Sequence, residues 1–251
     1  MAMAILREGD LGAAALKARL NALNYDCGDG DSFDRRTAWA VKWFQRQNNL
    51  PAEGVADAAT LSRIQSDAAI PGVTMDEPFY SMKDDMWAKY PYKAANTTTI
   101  ECMEDSSCGP TAMAIAATAL LRRAILPPVL ADWSNAHGFR DPDGEKGTDD
   151  AFFPAVAAQY GLETEQVPLD SRAAFERVAD ELAKGSAVIC NAMPGSPYTK
   201  YGHYNLIAAI RDGRVRISDP NPANAGLPAY TIGEWLENRW GRHCIFVRKA
   251  K

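Results

Sequence analysis

A cysteine at the start of a predicted helix carries the strongest chemical signal in the chain. Cys108 is followed by Gly109 and Pro110, and the residues from Thr111 to Leu120 are mostly alanine, methionine and leucine, which favour a helix. Proline is tolerated in the first turn, because its missing N–H would have no partner there. The free N–H groups and the helix dipole at this end favour a thiolate, so Cys108 is the candidate nucleophile.

A thiolate nucleophile needs a base, and His203 is the best candidate among the three histidines. It opens a predicted strand that runs to Ile210, where a side chain can be held rigidly at the edge of a cleft. His137 lies in a predicted loop and His243 in an ordinary terminal strand. Both are therefore expected to be structural.

An aspartate that could orient the histidine follows the next predicted strand. This strand covers residues 214–218 and is followed by Asp219. A carboxylate at this position can hold the imidazole of His203 in one tautomer and stabilise its charged form.

The loop between these two strands decides whether Asp219 can reach His203, because side chains alternate faces along a strand. A three-residue loop, 211–213, places both side chains on one face, and its last residue is a glycine, which the left-handed position of such a loop favours. The sequence therefore predicts the three-residue loop. A two-residue turn without a compensating bulge would leave Asn205 or Asn221 as the orienting residue.

The remaining cysteines show no comparable signal. Cys190 and Cys244 lie in apolar, strand-like runs and are expected to be buried and inert, whereas Cys27 and Cys102 have no activating context. Five cysteines spread over a long chain do not resemble a disulfide framework. There is no Cys-x-x-Cys and no His-Glu-x-x-His, so neither a metal nor another cofactor is expected.

Composition narrows the range of partners. A chain with 47% hydrophobic and 24% charged residues is expected to form a packed globular core. The net charge of −5 offers no basic surface for nucleic acid. No stretch approaches the roughly 18 apolar residues that a membrane span needs, so no membrane contact is expected. The first ten residues lack the basic and apolar regions of a secretory signal, which predicts synthesis in the cytoplasm.

The first seventy residues show the periodicity of three short helices. The first is predicted over 11–24, the second begins at Asp34 and the third begins near Asp57. Each of these two aspartates precedes a threonine by three residues, a pattern typical of a helix N-cap. The apolar residues that share a helical face are Leu11, Leu16, Leu20 and Leu23 in the first helix, Val41 and Phe44 in the second, and Leu61 and Ile64 in the third.

This region resembles the peptidoglycan-binding domain family. The motif reads Asp31-x-Phe33-Asp34-x-x-Thr37-x-x-Ala40-Val41-x-x-Phe44-Gln45, then Gly54-x-Ala56-Asp57-x-x-Thr60-Leu61. The resemblance implies a three-helix bundle that binds bacterial peptidoglycan. It makes Tyr25, Asp31, Phe33 and Trp43 the candidate contacts with the polymer, although Phe33 and Trp43 could equally be core residues.

The rest of the chain resembles the C39-like cysteine peptidases of the papain-like superfamily. The motifs, in order, are Cys108-Gly-Pro, Gly202-His203-Tyr and Asp219-Pro220, with Met193-Pro-Gly-x-x-Tyr198-Thr ahead of the histidine. The resemblance implies a helix bearing Cys108 packed on an antiparallel sheet, and a catalytic triad of Cys108, His203 and Asp219. Tyr198 and Tyr201 are the expected substrate contacts beside it.

One position departs from this family. A glutamine that donates to the oxyanion is usual near the start of the domain, and Met82 occupies its expected place. A thioether cannot donate a hydrogen bond. The backbone N–H of Cys108 remains available, and Asn96 or Thr98 are the other candidates for the oxyanion region.

Together these features predict an α+β protein with a three-helix module at 1–70, a linker at 71–77 and a C39-like cysteine peptidase domain at 78–251. The predicted function is peptidoglycan hydrolysis by an endolysin that acts on the wall after release. Two alternatives remain open at this stage. One is a catalytically impaired wall-binding protein, and the other is a peptidase that processes a protein leader.

Overall fold

The structure is a computed structural model that describes residues 5–76, 78–93, 101–140 and 147–250. Helices and strands are both present, and the α+β class predicted from the sequence is confirmed. Within the described ranges, no helix has both the length and the apolar character that a membrane span requires.

The helices fall into an N-terminal group of three and a later group of six among the described residues. Their bounds are α1 Ala14–Ala22, α2 Arg35–Gln47, α3 Ala58–Gln65, α4 Met103–Ser106, α5 Cys108–Leu121, α6 Pro127–Ala136, α7 Phe152–Gln159, α8 Arg172–Ala183 and α9 Ile232–Glu237. The strands are β1 Leu162–Pro168, β2 Ala187–Ala192, β3 His203–Arg211, β4 Arg214–Ser218, β5 Tyr230–Thr231 and β6 Gly241–Lys249.

Two of the N-terminal helices begin as the sequence predicted. The side chain of Asp34 accepts a hydrogen bond from the backbone N–H of Thr37 at the start of α2. Asp57 accepts one from Thr60 in the same way at the start of α3. Each aspartate therefore satisfies one of the N–H groups that a helix leaves unpaired at its first turn.

The first helix is shorter than predicted, because glycine and asparagine interrupt the helical backbone at its two ends. Gly12 has a φ of +90° and Asn24 a φ of 62°, both in the left-handed region that a right-handed helix cannot continue through. Leu16 and Leu20 pack in the module core as expected, but Leu11 lies outside the helix and is exposed.

The strands form one antiparallel sheet in the order β1-β6-β2-β3-β4-β5. Helix α5 packs on one face, against residues such as Tyr204 and Leu206 of β3. On the other face, Phe175 of α8 and Trp235 of α9 cover the core that includes Ile207. The sheet is thus buried on both faces, and the end of β3 that bears His203 lies near the start of α5.

The hairpin between β3 and β4 differs from the prediction. Arg211 pairs with Arg214, so the loop has two residues, and Asp212 and Gly213 both have positive φ values of 50° and 69°. These values are typical of a type I′ turn, which suits the twist of a hairpin better than the predicted three-residue loop. The three-residue prediction is therefore wrong.

A β-bulge restores the register that the longer loop would have produced. Ile207 pairs with Ile217 and Ala209 pairs with Arg216, which leaves Ala208 as an extra residue in β3. Beyond the bulge Leu206 lies opposite Ser218, so the next position of the ladder brings Asp219 to the face that bears His203.

The N-terminal helices are packed tightly against the rest of the protein. Trp43 of α2 contacts Tyr80 and Trp87 with ring centroids 5.8 Å apart in both cases. Residues 25 and 124 form an isolated parallel β-bridge. These contacts join the N-terminal helices to the rest of the described chain. The linker at 71–77 stays a prediction.

Candidate active site

Cys108 is the first residue of α5, as the position of Pro110 predicted. The N–H groups of a first helical turn have no partner within the helix, so they face outward beside the thiol. Gly109 is required here, because a Cβ at this position would lie 2.7 Å from the side chain of Thr148. The end of the helix can therefore approach the wall of a cleft closely.

The histidine and the aspartate lie together beside this helix. Nε2 of His203 lies 2.6 Å from Oδ1 of Asp219, and both side chains are buried. Since Asp219 occupies Nε2, the other ring nitrogen, Nδ1, is the one available to the Cys108 thiol, which lines the same cleft as His203. The bulge at Ala208 makes the contact between His203 and Asp219 possible.

Three asparagines hold the carboxylate of Asp219, and sequence reasoning did not assign them this role. The backbone N–H of Asn221 donates to Oδ1 at 2.8 Å, and Nδ2 of Asn224 donates to Oδ2 at 2.9 Å. Asn205 Nδ2 is a longer donor at 3.4 Å. Asn224 Nδ2 also lies 2.9 Å from the carbonyl of Tyr198. The asparagine-rich segment after Asp219 was the available signal.

The charges in this group favour an ion pair of thiolate and imidazolium. Burial alone would raise the pKa of the Cys108 thiol, but the hydrogen bond and charge of His203 outweigh it and lower that pKa below its usual value. Burial alone would lower the pKa of His203, but hydrogen bonds to Asp219 and Cys108 raise it to about 10. At neutral pH the thiol is the better proton donor of the pair, as a nucleophilic cysteine requires.

A cleft of about 950 Å³ opens over these side chains. Met82, Cys108 and His203 all line it, together with Tyr198 and Tyr201. Its other lining residues include Lys83, Glu101, Glu104, Asp149, Asp150, Asn191 and Arg242. A cavity of this size accommodates several residues of a peptide substrate.

The oxyanion region contains Met82 as the sequence suggested, and its side chain is buried in the cleft wall. Its backbone N–H donates to the carbonyl of Pro220 at 2.9 Å and so is not free to bind substrate. The backbone N–H of Cys108 remains a donor for an oxyanion. The alternative donors Asn96 and Thr98 lie outside the described residues.

The two tyrosines expected to contact substrate differ in exposure. Tyr198 is largely buried and stacks on Trp235 with centroids 5.6 Å apart, so little of its ring is open to the cleft. Tyr201 is 85% exposed at the rim of the cleft. An exposed aromatic ring of this kind is available to a ligand, whereas the ring of Tyr198 mainly supports the loop.

Two of the four predicted wall contacts are corrected by the structure. Tyr25 and Phe33 are fully buried in the module core, because their rings fill the space between the three helices. Neither can contact a polymer in solution. Trp43 is only partly buried, but its ring faces Tyr80 and Trp87.

Asp31 is exposed, but its carboxylate has a structural role as a hydrogen-bond acceptor. Oδ2 accepts the N–H of Gly12 at 2.9 Å and Oδ1 accepts that of Ala14 at 3.3 Å, which secures the start of α1. Its role in wall binding stays a prediction.

The other cysteines occupy different environments from Cys108. Cys190 and Cys244 are cross-strand neighbours in β2 and β6 and are fully buried. Burial raises the pKa of both thiols, and also that of Cys27. These three are therefore expected to stay protonated and unreactive near neutral pH.

Brief treatment with iodoacetamide is expected to modify Cys108 well before Cys190. The lowered pKa gives the Cys108 thiol a larger ionised fraction at neutral pH than an ordinary thiol has, and its alkylation rate should fall on acidification through that lowered pKa. Mass spectrometry of tryptic peptides across a pH series measures both rates. Cys190 serves as the internal control, and its preferential labelling would contradict the assignment of the nucleophile.

Comparison with known proteins identifies two regions. Residues 87–243 match the family described as Peptidase_C39 like. Residues 12–64 match a peptidoglycan binding domain family. No match was found among curated proteins.

Solved structures show more distant similarity. The peptidase domain of Streptococcus ComA, a bi-functional ABC transporter involved in a quorum sensing pathway, has 19% identity and a TM-score of 0.43, and the match covers 63% of this chain and 98% of that one. A structure from Bacillus anthracis described as a C39-like peptidase has 14% identity and a TM-score of 0.43, with 71% and 98% covered. These low scores add nothing to the family match.

Proposed function

Because the chain belongs to the Peptidase_C39 like family and carries an N-terminal peptidoglycan binding domain, we propose that it is a cysteine peptidase or amidase that hydrolyses an amide bond of peptidoglycan. The bond would lie in the stem peptide or in a cross-bridge. The observation that carries the proposal is the contact of 2.6 Å between His203 and Asp219 in the cleft that also holds Cys108.

The reaction follows from the ionised pair. The Cys108 thiolate attacks the amide carbon, and the imidazolium of His203 gives its Nδ1 proton to the departing amine. The acyl group is then held as a thioester on Cys108. The neutral imidazole next takes a proton from water, which attacks the thioester and releases the carboxylic acid and the thiolate. Asp219 retains its hydrogen bond at Nε2 throughout and keeps the ring oriented.

The oxyanion of each tetrahedral intermediate needs hydrogen-bond donors, and the side chain of Met82 cannot supply one because a thioether has no hydrogen to donate. The N–H of Cys108 at the start of α5 is one donor, aided by the positive end of the helix dipole. Loss of one oxyanion donor typically costs a factor of about 10² to 10³ in turnover. A catalytically impaired wall-binding protein is therefore the second candidate function.

Replacing Met82 with glutamine is expected to raise turnover or leave it unchanged. Glutamine has a similar length, and its amide could donate to the oxyanion from the cleft wall where Met82 now lies. Release of soluble muropeptides from purified peptidoglycan measures the effect. A large loss of turnover would contradict the prediction, and a lowered melting temperature beside it would show that Met82 has a packing role that glutamine cannot fill.

The binding domain suits this chemistry because it raises the concentration of enzyme at its polymer. We further propose that the protein is an endolysin that is made in the cytoplasm and reaches the wall when the cell lyses. A zymogram with embedded peptidoglycan tests hydrolysis directly. A clear zone supports the hydrolase, whereas wall binding without clearing excludes it and leaves the impaired binder and the leader peptidase.

Cleavage of a protein leader is the third possibility, and the same preparation tests it. A leader-processing peptidase would leave purified peptidoglycan intact and cut a peptide instead. Mass spectrometry of the products released from peptidoglycan would also identify the bond, since amidase and endopeptidase products differ in their new termini.

A further inference from the structure

The loop at 80–88, which we call the bracing loop, lies between the N-terminal helices and the active-site cleft. Its Met82 lines the cleft together with Cys108. Its Tyr80 and Trp87 are buried and contact α2 on the other side. A loop in this place can pass the position of α2 on to the wall of the cleft.

An aromatic cluster joins α2 to this loop. The ring of Trp43 lies 5.8 Å from the rings of both Tyr80 and Trp87, and these two rings are 6.0 Å apart. Domains of one chain move relative to each other unless their interface is large and apolar. Because three rings pack together here, α2 and the bracing loop are held in one arrangement.

A charged group of α2 holds the turn at the centre of the loop. Arg46 forms an ion pair with Asp84 and a second one with Asp85 at 3.1 Å. Oδ1 of Asp84 also accepts the backbone N–H of Met86 at 3.0 Å, and the Asp84 carbonyl accepts that of Trp87 at 3.0 Å. Asp84 therefore fixes the backbone of the turn, and Arg46 holds Asp84 from outside.

The loop is bonded to the segment that carries the catalytic aspartate. Nε1 of Trp87 donates to the carbonyl of Ser81 at 2.8 Å, which fixes the backbone beside Met82. The N–H of Met82 donates to the carbonyl of Pro220 at 2.9 Å. Pro220 directly follows Asp219, so a shift of the loop would move the carboxylate that orients the base.

The loop is also bonded to the helix that presents the nucleophile. The hydroxyl of Tyr80 lies 3.3 Å from Oγ1 of Thr118, and Thr118 belongs to α5, which begins at Cys108. The bracing loop thus contacts α2, α5 and the segment after β4. Groups from all three parts of the chain meet through it.

We propose that the N-terminal module is a structural part of the active site, and that Trp43 and Arg46 act through the bracing loop to position Cys108 and Asp219. Both are positioning residues, since they contact the loop and not the reacting atoms. The module then serves hydrolysis in a second way, besides attachment to the wall. The effect on turnover rests on the proposed function, whereas the reactivity of Cys108 reports on the same geometry without a substrate.

A displaced Asp219 would change the ionisation of the pair in a defined direction. Burial alone would lower the pKa of His203, but its contacts with Asp219 and Cys108 raise it to about 10. A weaker contact with Asp219 lowers that pKa, so the imidazolium stabilises the thiolate less. The pKa of the Cys108 thiol then rises towards its usual value, and alkylation requires a higher pH.

The test compares Trp43→Ala with Trp39→Ala in the full chain. Trp39 lies one turn earlier in α2, and its ring contacts Tyr90 at 5.2 Å, outside the bracing loop. Three quantities are measured for each variant: the pH midpoint of Cys108 alkylation by iodoacetamide, the melting temperature, and kcat and KM on a soluble cross-linked muropeptide dimer. The dimer is prepared with a muramidase and requires no attachment to the wall.

We expect Trp43→Ala to raise the alkylation midpoint by about one unit, the size of effect that a neighbouring charge produces. Its kcat should fall by about tenfold or more, because displaced catalytic groups reduce turnover, while KM changes little. Trp43→Phe keeps an aromatic ring against the loop and should restore most of both quantities. Trp39→Ala should lower the melting temperature but leave the midpoint and kcat as in the parent.

A midpoint like that of the parent in Trp43→Ala would overturn the proposal, as would an equal shift in Trp39→Ala. If Trp43→Ala does not fold, Arg46→Glu replaces it, since it repels Asp84 and Asp85 from an exposed position. Its matched control is Lys42→Glu, because Lys42 lies on the same helix over the ring of Trp39. An unchanged midpoint in Arg46→Glu would overturn the proposal equally.

The proposed function fails by a different result, namely that the unmodified chain leaves both the dimer and purified peptidoglycan intact. The alkylation midpoints still decide the positioning role in that case, because they require no substrate. A shift confined to the Trp43 or Arg46 variants would then support the bracing loop without the hydrolase.

Discussion

Replacing Cys108 with alanine is expected to abolish the release of muropeptides from peptidoglycan. Removing the nucleophile from a nucleophile–base pair costs turnover on the order of 10⁶, since the thioester cannot form and only the remaining oxyanion donors contribute. The loss is measured by the rate at which purified peptidoglycan is solubilised. Wall binding should be retained, because Cys108 lies in the cleft and outside residues 12–64, which match the peptidoglycan binding domain family.

The matched control is Cys102→Ala. Cys102 is partly exposed and precedes α4, but it does not line the cleft, so its replacement should leave turnover within about twofold. Undiminished hydrolysis by Cys108→Ala would show that the nucleophile is elsewhere. Loss of hydrolysis in both variants would point to damage to the fold around α4 and α5.

Deleting Arg216 is expected to reduce turnover by a factor of about 10⁴, the cost of losing the residue that orients the base in a comparable triad. Arg216 lies in β4 between the turn and Asp219, and it pairs with Ala209. Without it, regular pairing from the turn would bring Asp219 opposite Ile207, two positions from the site it now occupies. The carboxylate would then lie about 7 Å farther along the strand from His203 than it does now.

Deleting Ala208 instead provides the control. Ala208 is the extra residue of the bulge, so its loss leaves Ile207 opposite Ile217 and makes the ladder regular. Turnover should stay within a few-fold of the parent. Both deletions remove one residue from the same hairpin, and thermal melts report on whether each protein folds. Similar losses in the two variants would contradict the argument from register.

Much of the candidate site could be predicted from local sequence. Gly109 and Pro110 followed by helix-forming residues were enough to place Cys108 at a helix N-terminus, since that arrangement depends on neighbours in the chain. The caps at Asp34 and Asp57 were predictable for the same reason.

The aromatic residues of the N-terminal region were harder to interpret. An aromatic ring on an amphipathic helix has the same sequence signature in a core and on a binding surface. Tyr25 and Phe33 proved to be core residues, because three short helices need large side chains to fill the space between them.

The sequence by itself determined the order of the reactive residues, the helix that presents Cys108 and the strands that bear His203 and precede Asp219. Only the tertiary structure decided how the histidine and the aspartate meet. A favoured two-residue turn alone would have sent Asp219 to the wrong face, and the bulge at Ala208 corrects this. The physical reason is that strand register is set by the pairing of distant residues, and one unpaired residue reverses the face of every side chain beyond it.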